Sequence, residues 1–478
     1  MRFLALCSMV VAAAPPTSDG QTVVIDPGKP LQRIDPRYFG VSTDGHHESP
    51  WARAHYPVAD RLRALGCRMV RFPGGTESDN YLWDVHQWWD PRMYPGRMDM
   101  ESAASSTDSW MEFCNDVGAQ TFMVANARIA AFEGVERGSR LAADWVRYCK
   151  ERSYPTRIWE VGNEPYYMHY FTAAEYAEAF VRYAAAMKAE DPDIIVAAVG
   201  EKPHWSGSKD RVVAEHRQEA PDLERRADSG DAEARRLLDS CRTWSQEAPR
   251  WWDVVLDRAI GSLDAVSFHW YFDPDKDLPT MDGTVRELRA MVDARAKGRH
   301  IPIYCTEWNV SEWSKTPGWQ RALMLAEAAC RLNDGGVELG AVWPFRCGGP
   351  HSVKSLVDWK TFEPTPNYWA YHALASTAGE QRLETVATGV YAFASRRADG
   401  AIVCWLINRS GAALDGLRVA CPGAVEVTAT SLAAEAPEHP EGNGVTRAAL
   451  PVAPAGDAWR LSVPPWSLTT VRLRLGGR

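Results

Sequence analysis

Two glutamates follow short apolar runs that lie far apart in the chain. Glu164 follows the run Arg157–Val161, with Asn163 directly before it. Glu307 follows the run Pro302–Thr306. Two carboxyl groups at one site can divide a substitution reaction, because one protonates the leaving oxygen while the other attacks the carbon. This arrangement cleaves a glycosidic bond with retention of configuration, so the residue types predict a sugar-cleaving pair.

The pattern around these glutamates predicts a barrel of alternating strands and helices. Short apolar runs alternate with longer stretches whose apolar residues recur every three to four positions, which is the helical period. Eight such units over roughly 300 residues indicate a (β/α)8 TIM barrel, which we place at residues 38–378. The predicted strands are Tyr38–Ser42, Arg68–Phe72, Thr121–Asn126, Arg157–Val161, Ile194–Val199, Ala265–His269, Pro302–Thr306 and Val337–Trp343.

The chain outside the barrel has a different pattern. Past residue 380 the helical period stops, and short alternating runs separated by Gly, Pro and Asp predict a C-terminal β-sandwich over residues 380–478. The early run Thr22–Asp26 needs a pairing partner, so we expect residues 20–30 to join the sandwich as an N-terminal strand. Residues near 203–250 carry interspersed charges of both signs, which is typical of a solvated helical insertion.

In a barrel of this kind the catalytic groups come from the carboxyl ends of several strands. In the predicted barrel these strand ends carry Glu164, Glu307 and the residues around them. Asn163 can donate a hydrogen bond to the sugar hydroxyl beside the reacting carbon, an interaction that strengthens as charge develops. His269 and Tyr271 can orient the attacking carboxylate. The remaining candidates for contact with the substrate are Asp44, Arg71, Thr76, Asn126, Trp308 and Trp343.

Several other classes of function lack their sequence signals. The net charge of −9 and the absence of a basic cluster argue against nucleic-acid binding. No later apolar run approaches the length of a membrane span. His46-His47-Glu48 has no second cluster and no HExxH, and no dinucleotide or phosphate-binding glycine motif is present, so we predict no metal and no cofactor. Ten cysteines are scattered without a CxxC pair, and the sequence leaves their pairing and the oligomeric state open.

The first 16 residues have one positive charge, an apolar run and a small-residue end, which is the composition of a short secretory signal. We therefore expect a secreted or periplasmic protein. If the segment is not a signal, the expected location is the cytoplasm.

Three separated motifs resemble one clan of glycoside hydrolases. They are Arg71–Gly75 (RFPGG), Trp159–Pro165 (WEVGNEP) and Thr306–Val310 (TEWNV). Together they are similar to the retaining enzymes with catalytic glutamates on barrel strands four and seven. Within that clan the sequence most resembles the α-L-arabinofuranosidases of glycoside hydrolase family fifty-one. A β-sandwich built from both chain ends is usual in that family.

The resemblance implies roles for individual residues. It makes Glu164 the acid/base and Glu307 the nucleophile. Asn163, Arg71, His269 and Tyr271 would support them, and Asn126 and Asp44 would contact the sugar. The implied activity is removal of terminal glycosyl units from a polysaccharide or oligosaccharide by double displacement.

The chain also departs from family fifty-one. Thr76 follows the RFPGG run where that family usually has Asn, and Asp79 comes three residues later. Thr76, Asp79 and the residue pattern of the WEVGNEP motif are similar to those of the β-glucuronidase and heparanase family. The Thr306-Glu307-Trp308 segment is similar to the β-xylosidases of family thirty-nine. An α-L-arabinofuranosidase is thus the leading interpretation and a β-glucuronidase or β-xylosidase the alternative. A third interpretation, from a different class of function, is a carbohydrate-binding barrel protein without catalytic activity, which also fits the sequence pattern.

Overall fold

A computed structural model of the chain shows a closed barrel followed by a large antiparallel sheet. The described residues are 20–43, 57–88, 106–166, 171–203, 225–237, 250–438 and 444–476. The predicted secretory segment at residues 1–16 and most of the predicted charged insertion lie outside these ranges. Among the described residues, no helix combines the length and the apolar composition needed to cross a membrane.

Eight parallel strands close the barrel, which confirms the predicted fold. In chain order they are β2 (Phe39–Ser42), β3 (Met69–Phe72), β6 (Gln120–Ala125), β7 (Ile158–Val161), β8 (Ile195–Gly200), β9 (Ala265–Phe272), β10 (Ile303–Val310) and β11 (Val337–Val342). Strand β11 pairs with β2 and so completes the ring. Each predicted strand matches one of these, with ends that differ by a few residues.

Helices follow the barrel strands and cover them from outside. They are α1 (Val58–Leu65), α2 (Thr107–Val117), α3 (Arg128–Glu133), α4 (Val135–Glu151), α5 (Ala173–Glu190), α6 (Trp251–Ala259), α7 (Met281–Ala296), α8 (Gly318–Gly335) and α9 (Pro366–Thr377). Local sequence sets several of their ends. Thr172 and Glu175 form a reciprocal capping box at the start of α5. Gly66 ends α1 in the left-handed conformation that glycine adopts without steric cost.

The interior of the barrel changes from apolar to polar along the strands. One apolar residue from each of seven strands fills the amino-terminal half: Met69, Phe122, Ile158, Ala197, Ala265, Tyr304 and Leu339. Side chains two positions apart on a strand face the same way. The next inward residues on four of these strands are polar or charged: Arg71, Glu160, Ser267 and Thr306. The apolar layer closes the bottom of the barrel, and a polar layer above it supports the carboxyl end.

Two short strands, β4 (Tyr81–Leu82) and β5 (Gln87–Trp88), pair antiparallel as a separate small sheet. The other ten described strands form one sheet with its own apolar core. They are β1 (Thr22–Arg33), β12 (Gln381–Ala387), β13 (Tyr391–Arg396), β14 (Ile402–Asn408), β15 (Leu414–Ala420), β16 (Ala424–Ala434), β17 (Val445–Leu450), β18 (Val452–Ala455), β19 (Ala458–Val463) and β20 (Ser467–Leu475). The order is β17-β16-β20-β14-β13-β12-β1-β15-β19-β18. Strand β1 pairs antiparallel with β12 and parallel with β15. The predicted sandwich with an N-terminal strand is therefore confirmed, and β1 joins its two halves into a continuous sheet.

Aromatic residues connect the sandwich to the barrel. Trp405 on β14 meets the ring of Phe39 on β2 edge-on at 6.1 Å between centroids. On α8, Trp319 donates a hydrogen bond from Nε1 to the carbonyl of Trp466 at 2.7 Å. Because the first contact is buried and the second is a hydrogen bond from a buried tryptophan, the sandwich supports the outer wall of the barrel. The cysteines in the described residues are all free thiols.

Candidate active site

A sharp turn after β7 presents Asn163 and Glu164 at the mouth of the barrel. Gly162 has φ 81° and Glu164 has φ 47°, so the chain enters the left-handed region twice within three residues. A Cβ at position 162 would lie 2.7 Å from the Cβ of Ala127, so only glycine fits there. A non-glycine residue with positive φ is uncommon, and such residues concentrate at functional sites. The turn fixes where the Glu164 carboxyl can reach.

Asp79 holds this turn from behind. Its Oδ2 accepts a hydrogen bond from the backbone N–H of Asn163 at 3.0 Å, and its Oδ1 accepts one from the N–H of Ala127, also at 3.0 Å. Asp79 is fully buried, and burial raises the pKa of its carboxyl to about 6 against the lowering effect of these N–H donors. From the 3₁₀ turn Thr76–Asn80, Asp79 thus supports the Asn163 backbone.

An ion pair beneath the mouth organises the polar layer. Arg71 donates from Nη2 to Glu160 Oε2 at 2.7 Å and from Nε to the same oxygen at 3.0 Å. Both side chains are completely buried. Thr306 donates to Glu160 Oε1 at 2.7 Å, and Ser267 donates to the same oxygen. Burial alone would raise the pKa of Glu160, but Arg71, His269 and these hydroxyls outweigh it and hold the pKa below its ordinary value.

Replacing Glu160 with glutamine should destabilise the protein. The substitution keeps the shape of the side chain but leaves Arg71 as a buried charge without its closest counter-ion. We expect the free energy of unfolding to fall by about 3 kcal/mol, the scale for breaking a buried ion pair. Urea-induced unfolding measures the change. Glu384→Gln is the control, since Glu384 pairs with Lys29 at the surface and should leave the midpoint unchanged. Equal midpoints for the two variants would contradict this account of the ion pair.

Arg71 also binds Glu307 and Asn163, two residues of the predicted site. Its Nη1 donates to Glu307 Oε2 at 3.1 Å, and its Nη2 donates to Asn163 Oδ1 at 2.9 Å. Because Oδ1 of Asn163 accepts this bond, the amide N–H2 group is the donor that Asn163 offers to a ligand. One guanidinium therefore orients the predicted nucleophile and the predicted sugar-binding amide together.

A β-bulge in β10 aims Glu307 into the site. The register with β9 pairs Cys305 with Phe268 and then Glu307 with His269, which leaves Thr306 as an extra residue. With strict alternation Glu307 would face outwards, whereas the bulge lets both Thr306 and Glu307 face the interior. Bulges of this kind are common next to active sites because they redirect a side chain.

The bulge also corrects one prediction. Trp308, expected to contact substrate, is 1% exposed and packs against Tyr371 of α9 at 6.2 Å between ring centroids. The phase change at Thr306 turns Glu307 inwards and its neighbour outwards. Trp308 is therefore a core residue behind the barrel wall and cannot stack on a sugar.

Glu307 is enclosed and held by several groups. Tyr271 on β9 donates a hydrogen bond to Glu307 Oε1, and Arg71 binds the other oxygen. A Cβ on Gly75 would lie 3.3 Å from Glu307 Oε2, so the glycine backbone approaches the carboxylate closely. Burial raises the pKa of Glu307 above its ordinary value, and the charge of Glu164 adds to this effect, against the opposing influence of His269 and Arg71.

His269 on β9 lies between the two glutamates. Its Nδ1 is 3.0 Å from Glu164 Oε1 and 3.9 Å from Glu307 Oε2. Burial alone would lower the pKa of His269, but the two carboxylates outweigh it and raise the pKa above its ordinary value. One oxygen from each glutamate and a ring nitrogen all lie within 4.8 Å of one another. These are also atom types that bind metal ions, although Arg71 and Tyr271 already bind the Glu307 oxygens.

The other predicted contact residues have different surroundings. Trp343 is half-buried at the mouth and meets the Tyr271 ring edge-on at 5.8 Å. Asn126 accepts a hydrogen bond from the N–H of Ile129 at 3.2 Å and donates to the carbonyl of Tyr81 at 3.3 Å, so its amide stabilises the loop after β6. Thr76 is half-buried and begins the 3₁₀ turn Thr76–Asn80. The predicted contact at Asp44 and the His46-His47-Glu48 segment lie outside the described residues.

Sequence reasoning missed two buried carboxylates, one beneath the mouth and one that follows a barrel strand. Glu160 lies inside the WEVGNEP motif, and its spacing of two from the inward-facing Ile158 could have identified it. Glu201 follows β8 directly and is 7% exposed. Burial of Glu201 could not be read from the sequence, because the charged segment that follows it is typical of a solvated surface.

The comparisons with known proteins agree with this geometry. The family described as "Alpha-L-arabinofuranosidase 1 domain" matches residues 61–235. The exo-α-(1→6)-L-arabinofuranosidase of Bifidobacterium longum is 22% identical over 323 residues, which cover 59% of this chain and 53% of that protein. An enzyme of Streptomyces lividans, named as an intracellular exo-α-(1→5)-L-arabinofuranosidase, is 23% identical over 354 residues, covering 65% of this chain and 47% of its own length. The chain thus spans about half the length of these relatives.

The solved structure of the thermostable GH51 α-L-arabinofuranosidase from Thermotoga petrophila has the same fold. It superposes with a TM-score of 0.72 at 17% identity and covers 95% of this chain and all of the other. This chain therefore shares with that structure a (β/α)8 barrel and an attached β-sandwich. The predicted resemblance to family fifty-one is confirmed, since the matched family domain, the relatives and the fold all agree.

Proposed function

We propose that this chain is a retaining glycoside hydrolase that removes terminal α-L-arabinofuranosyl units from polysaccharide or oligosaccharide. One observation carries the proposal. Carboxylate oxygens of Glu164, which follows β7, and Glu307, on β10, lie within 4.8 Å of one another at the mouth of the barrel. Retaining glycosidases place their carboxyl groups about 5–5.5 Å apart, whereas inverting enzymes leave about 6.5–9.5 Å for a water molecule. The separation favours direct attack by a carboxylate.

In the first step Glu307 attacks the anomeric carbon while Glu164 donates its proton to the leaving oxygen. The glycosidic bond breaks as the ester bond to Glu307 forms, and the leaving group departs as an alcohol. Arg71 and Tyr271 bind the Glu307 oxygens and orient the attacking lone pair towards the anomeric carbon. The Asn163 amide donates to the sugar hydroxyl next to the reacting carbon, where the bond strengthens as positive charge develops in the ring.

In the second step Glu164, now ionised, takes a proton from water while the water oxygen attacks the same carbon. The ester bond to Glu307 breaks, and the sugar leaves with its original configuration. His269 contacts Glu164 throughout and can share charge with it as the carboxyl changes from acid to base. Both steps use side chains of this chain and water.

The choice of sugar rests on similarity. The relatives are named for α-L-arabinofuranosides, with different linkages in the two cases. Their names support arabinofuranose as the glycone and leave the linkage undetermined. Export remains a prediction from residues 1–16, and one relative is named as intracellular.

A panel of 4-nitrophenyl glycosides tests this proposal. The α-L-arabinofuranoside should release nitrophenol fastest, with the β-xyloside and β-glucuronide as alternative glycones. Fastest release from one of those two would keep the reaction and change the sugar. Release from none would favour a carbohydrate-binding barrel and contradict the proposed activity.

Activity should decline on the acid side as Glu307 becomes protonated. Burial raises the pKa of this carboxyl above its ordinary value of 4.5. Because the nucleophile must be ionised, kcat/KM is lost as the pH falls through that raised value. The acid limb of a plot of kcat/KM against pH should therefore lie above pH 4.5. A limb below that value would show that burial does not control the ionisation of Glu307.

A further inference from the structure

A buried lysine lies against the aromatic side of the candidate active site. Lys354 ends the 3₁₀ turn Gly349–Lys354, which follows the eighth barrel strand, and its side chain is 1% exposed. Its Nζ lies 3.0 Å from Glu312 Oε2. The same nitrogen lies 4.0 Å from the centre of the Tyr271 ring and 4.5 Å from that of Trp343. One carboxylate and two aromatic rings thus surround the charge.

Burying the charge of Lys354 costs free energy, so its position next to the site calls for a functional reason. Burying an ammonium removes its hydration, and an apolar side chain of similar size would fill the space without that cost. Glu312 offsets part of the penalty, and the two rings offset more through their negative faces. The backbone does not need the charge, since the Lys354 carbonyl accepts its hydrogen bond from Asn309 whatever the side chain is.

Tyr271 connects this charge to the nucleophile. Its hydroxyl donates to Glu307 Oε1, and the ammonium of Lys354 lies over its ring. A cation on the ring face draws electron density from the phenol, which makes the hydroxyl a stronger hydrogen-bond donor. The ammonium also attracts the Glu307 charge directly through a low-dielectric interior. Both effects favour the ionised nucleophile.

We propose that Lys354 is a positioning residue that keeps Glu307 ionised through Tyr271, with Glu312 limiting the strength of its effect. The inference deepens the proposed function and rests on it. Lys354 does not touch the substrate, because its side chain is enclosed. Its role is to set the charge state and direction of the group that does.

The groups facing Lys354 come from four elements. Tyr271 is on β9, Glu307 is on β10, Glu312 follows β10, and Cys347 follows β11. His351 on the same turn lies 3.6 Å from Glu312 through Nδ1. Burial lowers the pKa of Lys354 below its ordinary value of 10.5, against the raising effect of Glu312 and Glu307. The Glu312 carboxylate, 3.0 Å away, is the counter-ion of the Lys354 ammonium.

The test is the pH dependence of kcat/KM for Lys354→Met, Lys354→Arg and Glu312→Gln on the nitrophenyl glycoside that the wild type cleaves fastest. Lys354→Met should move the acid limb upward by about 0.5–1 pH unit, since one attractive charge is lost. Its kcat should fall about 10-fold, with a smaller change in KM. Lys354→Arg should keep the limb near its wild-type position. Glu312→Gln should move the limb downward, because the lysine charge is then less neutralised.

Lys202→Met is the matched control. Lys202 also pairs with a carboxylate, that of Asp277 at 3.1 Å, and its Nζ lies 4.8 Å from the centre of the Trp270 ring. It has no contact with Tyr271 in the described structure, so its loss should leave the acid limb in place. A folded Lys354→Met with an unmoved limb would overturn the inference. If that variant does not fold, an unmoved or raised limb in Glu312→Gln overturns it instead. A wild type that cleaves none of the glycosides refutes the proposed function, and this inference with it.

Discussion

Glu307→Gly is expected to reduce kcat on the natural glycoside by a factor on the order of 10⁵, the scale for loss of a catalytic nucleophile. The reason is geometric as well as chemical. Arg71 and Tyr271 bind the two oxygens of the Glu307 carboxylate, and the bulge at Thr306 aims it at the mouth. No neighbouring residue among those described has its carboxylate in the same place. Glu164 has a carboxylate oxygen within 4.8 Å of one of Glu307, but its proposed role is that of the acid/base.

Azide should restore turnover to Glu307→Gly. The glycine leaves a space on the attacking side of the sugar, and a small anion can enter it. Attack by azide gives a glycosyl azide of inverted configuration, because only one displacement then occurs. Glu363→Gly is a suitable control, since Glu363 is an exposed partner of Arg61 and should keep full activity. Near wild-type turnover in Glu307→Gly without azide would show that another group is the nucleophile.

Glu164→Ala is expected to have an effect that depends on the leaving group. Activity on a methyl glycoside should fall about 10²–10⁴-fold, the range for loss of general acid catalysis. A 2,4-dinitrophenyl glycoside needs little protonation, so bond cleavage should stay within about tenfold of the wild type. The covalent intermediate should then accumulate, because the base that activates water is also missing. Kinetics with the two leaving groups separate these effects.

Glu164→Gln controls for the unusual backbone at this position. The residue has φ 47°, so alanine could alter the turn as well as remove the acid. Glutamine keeps the length and the polar contacts of the side chain but cannot donate the proton. The two variants should show the same dependence on the leaving group. Equal loss on both substrates would count against an acid/base role.

The strands of the barrel and the groups at their ends could be predicted because the information is local. Each apolar run has strand length and each helix has its own apolar face, so the alternation shows directly in the sequence. Glu164 and Glu307 follow such runs, and the structure brings both to the same mouth. The sandwich strand β14 likewise coincides with a local apolar run, Ile402–Asn408.

Features that depend on several elements at once could not be predicted. The bulge at Thr306 comes from the register between β9 and β10, and no single residue of β10 indicates it in the sequence. Without it Trp308 would face inwards and Glu307 outwards, so the register decides which of the two side chains reaches the site. Glu160 belongs to a network with Arg71, and this pairing joins residues from β7 and β3. The ammonium of Lys354 meets Tyr271 only because the turn after β11 folds back over the mouth.

The most direct test of double displacement is to identify the carboxylate that becomes glycosylated. Glu164→Ala, treated with 2,4-dinitrophenyl α-L-arabinofuranoside and digested, should yield one peptide carrying a single arabinosyl unit. Tandem mass spectrometry should place that unit on Glu307. An arabinosyl group on a different carboxylate, or dinitrophenol release with no glycosylated peptide at all, would contradict attack by Glu307.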